Sequence, residues 1–114
     1  MIEEVNYEKV IRQRFTRQNT VVYFYTPLCG TCKLAKQMLE IAIVTLPNDK
    51  LPTIMACNLN HMPAIAREWE LTSVPCLAFL KDGKVTEKVY SFQSVDNIYN
   101  KLWKFNINTQ KNSG

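Results

Sequence analysis

Apolar positions recur along this chain with two periods, and each change of period marks an element boundary. From Asn6 to Gln18 the period is helical. Tyr7, Val10, Ile11 and Phe15 form an apolar stripe, Glu8, Lys9 and Arg12 face water, and Asn6 suits the N-cap. No strand is read before this helix, because Ile2 to Val5 is too short and too acidic. After the break at Asn19-Thr20, Val21-Val22-Tyr23-Phe24-Tyr25 is apolar throughout and β-branched or aromatic, as a strand buried on both faces requires. Thr26-Pro27 stops it, since proline lacks an N–H and disfavours the helical region at the residue before it.

The helical period then returns. Ala35, Met38, Leu39, Ala42 and Leu46 share a face that Leu34 and Ile41 widen, which predicts a mostly buried helix to about Leu46, ended by Pro47-Asn48-Asp49. Leu51 to Asn58 reads as a second buried strand centred on Ile54, Met55, Ala56 and Cys57, with Pro52 held to its start. Strand, long helix, strand is a βαβ unit, so the pair is parallel with a right-handed connection.

In the second half, Pro63 suits the first position of a helix whose apolar side is Ile65, Ala66 and Trp69. His61, the single histidine, sits at its start and reads as a solvated or capping side chain. Leu77 to Leu80 is a strand. Lys81-Asp82-Gly83-Lys84 is a tight turn favouring positive φ, and Val85 to Tyr90 returns as a partly exposed edge in which Val85, Glu87 and Val89 alternate with Thr86, Lys88 and Tyr90. Ser94 caps a last amphipathic helix carrying Val95, Ile98, Leu102 and Phe105, flanked by Tyr99 and Trp103. Residues 1–106 are therefore read as one α/β domain and 107–114 as a polar tail that frays.

Composition narrows the classes. At 114 residues and 46% apolar the chain holds one ordinary core and is not a disordered type. No apolar run approaches the ~18 residues of a membrane span. Met1-Ile2-Glu3-Glu4 is acidic and lacks a hydrophobic signal segment, so a reducing, cytoplasmic location is expected. There, cysteines are catalytic or metal-binding more often than structural. The net charge of +4 is spread among acids, as in Arg67-Glu68 and Lys81-Asp82; Arg12, Arg14 and Arg17 read as a solvated helix face. Neither nucleic acid nor a membrane is an expected partner.

Against this background Cys29-Gly30-Thr31-Cys32 stands out, because it lies where the buried strand turns into the long helix. The first N–H groups of a helix lack intrahelical acceptors and the dipole is positive there; both favour a thiolate, and Lys33 and Lys36 add positive charge. Two intervening residues let the second cysteine close a small ring with the first, which makes this a redox motif. Half of a zinc site is one rival, but Cys57, Cys76 and His61 form neither a second C-x-x-C nor an H-x-x-x-H. Two inert buried thiols are the other, and they would not need this position.

The element order α-β-α-β-α-β-β-α, Cys29-Gly30-Thr31-Cys32-Lys33 after the strand Val22 to Tyr25, Ser73-Val74-Pro75 before the third strand and the hairpin Phe79-Leu80-Lys81-Asp82-Gly83 together resemble the thioredoxin superfamily over almost the whole chain. The resemblance implies a thioredoxin fold: a central mixed four-stranded β-sheet flanked by helices, without the extra N-terminal strand. It implies a cis Pro75 against the cysteine pair. It also implies thiol–disulfide exchange in which Cys29 attacks a substrate disulfide and the more buried Cys32 resolves the mixed disulfide. Leu28, Gly30, Thr31, Val74, Pro75, Cys76 and Tyr90 would then face the substrate. That substrate is a disulfide-containing protein or a low-molecular-weight thiol compound, recycled by a reductase or small thiol, with no cofactor and no metal.

Several positions depart from the family pattern. Thr31 replaces the usual proline between the cysteines, which points to a potential less reducing than a typical thioredoxin. The buried acid falls at Tyr23 and its lysine partner near Ala56, so the usual proton relay to the second cysteine is absent. Leu28 and Tyr25 replace tryptophans, and Tyr90 stands near the expected glycine, where it narrows or reshapes the groove. Cys76, after Pro75, reads either as a small strand residue or as a third thiol near the pair, and Cys57 reads as core. These departures count against general protein-disulfide reduction and leave a second possibility, a thioredoxin-fold binding module whose disulfide acts as a switch or stays idle. A metal-binding protein using Cys29, Cys32 and Cys76 is the third.

Overall fold

The structure is a computed structural model; it describes residues 2–16 and 18–112, with the side chains of Arg14 and of residues 106–112 outside the description. Its elements are β1 (Ile2–Glu4), α1 (Tyr7–Arg12), β2 (Thr20–Tyr25), α2 (Gly30–Thr45), β3 (Thr53–Asn58), α3 (Pro63–Glu68), β4 (Cys76–Lys81), β5 (Lys84–Val89) and α4 (Val95–Asn112). Five strands form one mixed sheet in the order β1-β3-β2-β4-β5. The strands β1, β3 and β2 run parallel, whereas β4 and β5 add as an antiparallel hairpin. This is the thioredoxin fold.

Central strand β2 alternates cleanly between two cores. Val21 and Tyr23 face a cluster built with Ala35, Leu39, Ala42 and Ile43 of α2 and Ile98 and Leu102 of α4. Val22 and Phe24 face the other, with Val10 of α1 and Ile65 of α3, and Trp69 packs edge-on against Phe24 with ring centroids 5.8 Å apart. The caps read from the sequence are present: Asn6 Oδ1 accepts from the Lys9 N–H at 3.1 Å and Ser94 Oγ from the Asn97 N–H at 3.0 Å. Asp82 and Gly83 both take positive φ, 53° and 78°, as a two-residue hairpin loop requires.

Five details differ from the pattern. A fifth strand is present at the N-terminus: Ile2, Glu3 and Glu4 pair with Ile54, Met55 and Ala56. Only a waiting sheet edge makes so short and acidic a segment a strand, and the glutamates at its exposed side keep that edge from pairing further. The first helix is shorter than 6–18. Gln13–Phe15 is a 3₁₀ turn in which Gln13 turns inward to accept from Thr20 Oγ1 at 2.9 Å, and Phe15 is left 84% exposed rather than in the stripe. Arg12 is exposed; Arg17 and the Arg14 side chain lie outside the described residues. On α2, Leu34 and Ile41 are exposed and Ile43 is buried in their place, because the helix meets the sheet and α4 on one side only. The α4 helix continues to Asn112; Ser113 and Gly114, the end of the tail expected over 107–114, lie outside the described residues.

The fifth detail is a β-bulge. Between Phe79 and Leu80 the register jumps, so that Phe79 opposes Glu87 while Leu80 opposes Val85, leaving Thr86 as the extra residue. The bulge moves Val85 and Val89, expected on one face, to opposite cores.

Helix α3 ends in a Schellman motif: the Glu70 N–H donates to the Arg67 carbonyl at 3.2 Å and the Leu71 N–H to the Ala66 carbonyl at 2.9 Å. Glu70 takes the left-handed position at φ 53°, where glycine is preferred. A left-handed L-residue costs roughly 1–2 kcal/mol, and glycine's greater chain entropy returns about half of that. Glu70→Gly is therefore expected to stabilise the fold by about 0.5–1 kcal/mol, read as a higher urea midpoint at unchanged slope.

Candidate active site

The end of β2 and the start of α2 build the site. The turn Thr26–Cys29 is closed by the Cys29 N–H donating to the Thr26 carbonyl at 3.2 Å, and Cys29 becomes the N-cap of α2. Its Sγ accepts from the Cys32 N–H at 3.1 Å and lies 3.3 Å from Thr31 Oγ1. The sulfur thus occupies the position a capping oxygen takes in other helices, against an N–H that has no intrahelical partner. Cys29 and Cys32 are joined as a disulfide with their Cα atoms 5.2 Å apart. Cys29 is half-buried and Cys32 is only 2% exposed, so one sulfur faces out and the other lies behind it.

The Val74-Pro75 peptide bond is cis. Pro75 lines a groove of about 320 Å³ with Thr31, Leu34, Met38, Tyr90 and Phe92, directly beside the cysteine pair. Of the residues singled out in the sequence, Thr31, Pro75 and Tyr90 meet in this groove. Leu28 is 99% exposed at the turn next to Cys29. Gly30 opens α2 with nothing within 4 Å of where a Cβ would stand, so no close approach demands glycine there. Val74 packs against the α1–α3 core, and the Cys76 side chain is fully buried in that core. Leu34, Met38 and Phe92 were missed as groove residues; the first two read simply as helix stripe and the last lies in an irregular segment.

The thioredoxin family model matches residues 1–104. The chain belongs to the thioredoxin family. It is similar to a thioredoxin-like protein of Bacillus subtilis, YusE, with 39% identity over 79 residues, 69% of this chain and 72% of that one. An H-type thioredoxin of Ricinus communis is 30% identical over 82 residues, 72% of this chain and 67% of its own. In fold it resembles the oxidised mitochondrial thioredoxin 3 of Saccharomyces cerevisiae (TM-score 0.73, 23% identity, 90% of this chain and 94% of that one). A mutant thioredoxin from Halobacterium salinarum superposes with a TM-score of 0.76 at 17% identity, over 92% and 90% of the two chains. A cysteine pair placed this way in a thioredoxin fold is suited to thiol–disulfide chemistry in general.

Where thioredoxins carry a buried acid, Tyr23 donates its hydroxyl to the Cys32 carbonyl. Burial, and then Tyr25 beside it, push the Tyr23 hydroxyl up to about 12. It stays protonated at neutral pH and is a fixed donor rather than a base. Ala56 opposes Tyr23 on β3, so no lysine answers it. A half-open pocket of about 180 Å³ lined by Tyr23, Tyr25, Pro27, Lys33 and Lys36 reaches Cys32. Tyr25 in turn donates to Glu4 Oε2 of β1 at 2.8 Å, a tie between the N-terminal strand and the cysteine turn.

Cys57 and Cys76 both oppose Phe24, one on each side of β2. Two inter-strand spacings of ~4.8 Å separate their backbones, beyond the ~7 Å limit of a disulfide. Burial, and for Cys57 the Glu4 charge, raise their thiols to about 12 and about 11; the Tyr90 hydroxyl and Lys88 lower Cys76 only in part. Among the described residues no three His, Cys, Asp or Glu side chains converge as a metal site.

After reduction, a small alkylating reagent at pH 8 should label Cys29 first and leave Cys57 and Cys76 unlabelled until the protein is unfolded, as peptide mapping by mass spectrometry would read. Unfolded thiols ionise near 9.0, whereas these two hold their protons to about 11 and 12. The unfolded state therefore loses protons first, and stability should fall as pH rises from about 9 towards 11. Urea midpoints at pH 8 and 10.5 test this, with a shallower fall expected for Cys57→Ala.

Proposed function

We propose that the protein is a thiol–disulfide oxidoreductase acting on disulfides of proteins or low-molecular-weight thiols. The observation that carries this reading is the pairing of a half-exposed sulfur capping α2, Cys29, with a second sulfur, Cys32, buried behind it. In the reduced protein the Cys29 thiolate attacks a substrate disulfide, forming a Cys29–substrate bond and expelling one substrate thiolate, which takes up a proton. The Cys32 thiol then gives up its proton and attacks the Cys29 sulfur. The second substrate thiol leaves, two electrons have passed to the substrate, and the pair is oxidised. A reductase or small thiol reverses the sequence.

Leu28, Gly30, Thr31, Val74, Pro75 and Tyr90 form the substrate-facing surface, with Cys76 contributing backbone only because its side chain is buried. Since Tyr23 stays protonated, the Cys32 proton leaves to water in the adjoining pocket. The chemistry needs no cofactor or metal. No described helix is long and apolar enough to cross a membrane, and a reducing cytoplasm is the compartment that suits a cycling pair. Tyr23, Ala56 and Tyr90 favour a second reading, a binding module for one partner with little general reductase activity.

Redox titration in dithiol buffers with thiol trapping separates the two. One two-electron couple that maps to Cys29–Cys32 and vanishes in Cys29→Ser is expected, and Cys32→Ser should accumulate the mixed disulfide. A pair that never cycles would leave only the binding module. The Thr31 hydroxyl lies where it can donate to a Cys29 thiolate and so stabilise the reduced form. The midpoint should lie above the ~−270 mV of thioredoxin, and Thr31→Pro should lower it; a wild-type midpoint at or below that figure refutes this part.

A further inference from the structure

The bulge in β5 has a consequence for the groove. With Val85 anchored opposite Leu80 on the α3 side, an unbroken strand would send Lys88 and Tyr90 towards α4. The extra residue, Thr86, reverses this: Glu87 faces α4, where Lys101 pairs with it at 3.0 Å, while Lys88 and Tyr90 face α3.

There the two side chains meet the backbone leaving α3. The Lys88 ammonium donates to the Trp69 carbonyl at 3.0 Å and to the Glu70 carbonyl at 3.2 Å. The Tyr90 hydroxyl accepts from the Thr72 N–H at 3.3 Å and donates towards the Glu70 carbonyl at 3.5 Å. It also lies against the Cys76 thiol on the far side of Pro75. The loop from Glu70 to Pro75 is thus held at its start by Lys88, in its middle by Tyr90, and at its end by Cys76 packed beneath Tyr90. Tyr90 also lines the groove that Pro75 shares with Thr31.

We propose that Lys88 and Tyr90 are positioning residues that hold the Pro75 loop in register for an extended peptide carrying a disulfide. The proposal rests on the oxidoreductase reading and adds to it which residues decide the substrate class. An extended peptide needs the backbone groups of the loop in place, as strand-like recognition does. A small disulfide needs only the Cys29 sulfur. The clamp therefore favours peptide substrates over small ones without touching the reacting sulfurs.

The test compares Tyr90→Phe, Lys88→Met and Lys88→Arg with the wild type on two substrates, an extended peptide disulfide and bis(2-hydroxyethyl) disulfide. For Tyr90→Phe and Lys88→Met, KM for the peptide should rise about three- to tenfold, with kcat unchanged in Lys88→Met. In Lys88→Met, exchange with the small disulfide and the Cys29–Cys32 midpoint should stay at wild-type values, and Lys88→Arg should recover the peptide KM. Hydrogen exchange gives a readout independent of activity: the Thr72 amide, and its neighbours from Leu71 to Val74, should exchange at least tenfold faster in both disrupting variants. Wild-type exchange rates in that loop, or equal losses on both substrates in Lys88→Met, overturn the proposal. If the wild type reduces neither disulfide, the oxidoreductase reading falls instead, and the amide rates alone decide whether the clamp exists.

Discussion

Strand β2 is hydrogen-bonded on both sides and packed on both faces, and the site inherits its rigidity from that. Five of its six residues are buried, paired with β3 in parallel and β4 in antiparallel register. A strand so enclosed cannot slip, because a one-residue shift would exchange Val21 and Tyr23 with Val22 and Phe24 between two differently shaped cores. Its last residue delivers the chain to Thr26-Pro27, and within four residues to the sulfur that caps α2. The position of Cys29 is set by packing some distance behind it.

The same strand explains the spread of thiol character. Four cysteines lie close to β2 or its continuation, yet only one faces solvent at a helix terminus. Cys57 and Cys76 flank Phe24 in the core, where ionisation is opposed by burial. Tyr23 donates a neutral hydrogen bond to the Cys32 backbone carbonyl. A pocket lined by Tyr23, Tyr25, Lys33 and Lys36 reaches Cys32 beside it. Around the pair, groove shape comes from three separate parts of the chain: α2 through Leu34 and Met38, the Pro75 loop, and the segment after β5 through Tyr90 and Phe92.

Much of this was legible from residue order. The apolar run of β2, the stripe of α2, the caps at Asn6 and Ser94 and the Asp82-Gly83 turn are local signals, and local physics dictates them. The C-x-x-C at a strand-to-helix junction is likewise local, and the thioredoxin resemblance carried the cis Pro75. Sequence patterning failed where an element is defined by its neighbours. Ile2–Glu4 is a strand only because β3 offers an edge. Leu34 and Ile41 are outside the core because α2 is covered on one side. Phe15 is exposed because Gln13 found Thr20.

The chain's own residues therefore determined that it would build a thioredoxin fold with a cysteine pair at a helix start, since dihedral preference, hydrophobic period and the dipole of a helix act over a few residues. Tertiary structure alone decided which faces of β5 look where. One extra residue at Thr86 turns Lys88 and Tyr90 towards the end of α3, and their partners at Trp69, Glu70 and Thr72 lie some eighteen residues away in the chain. Period-two alternation is blind to a bulge, because a bulge forms where two strands with unequal demands must stay paired, and that is a property of the pair and not of either strand.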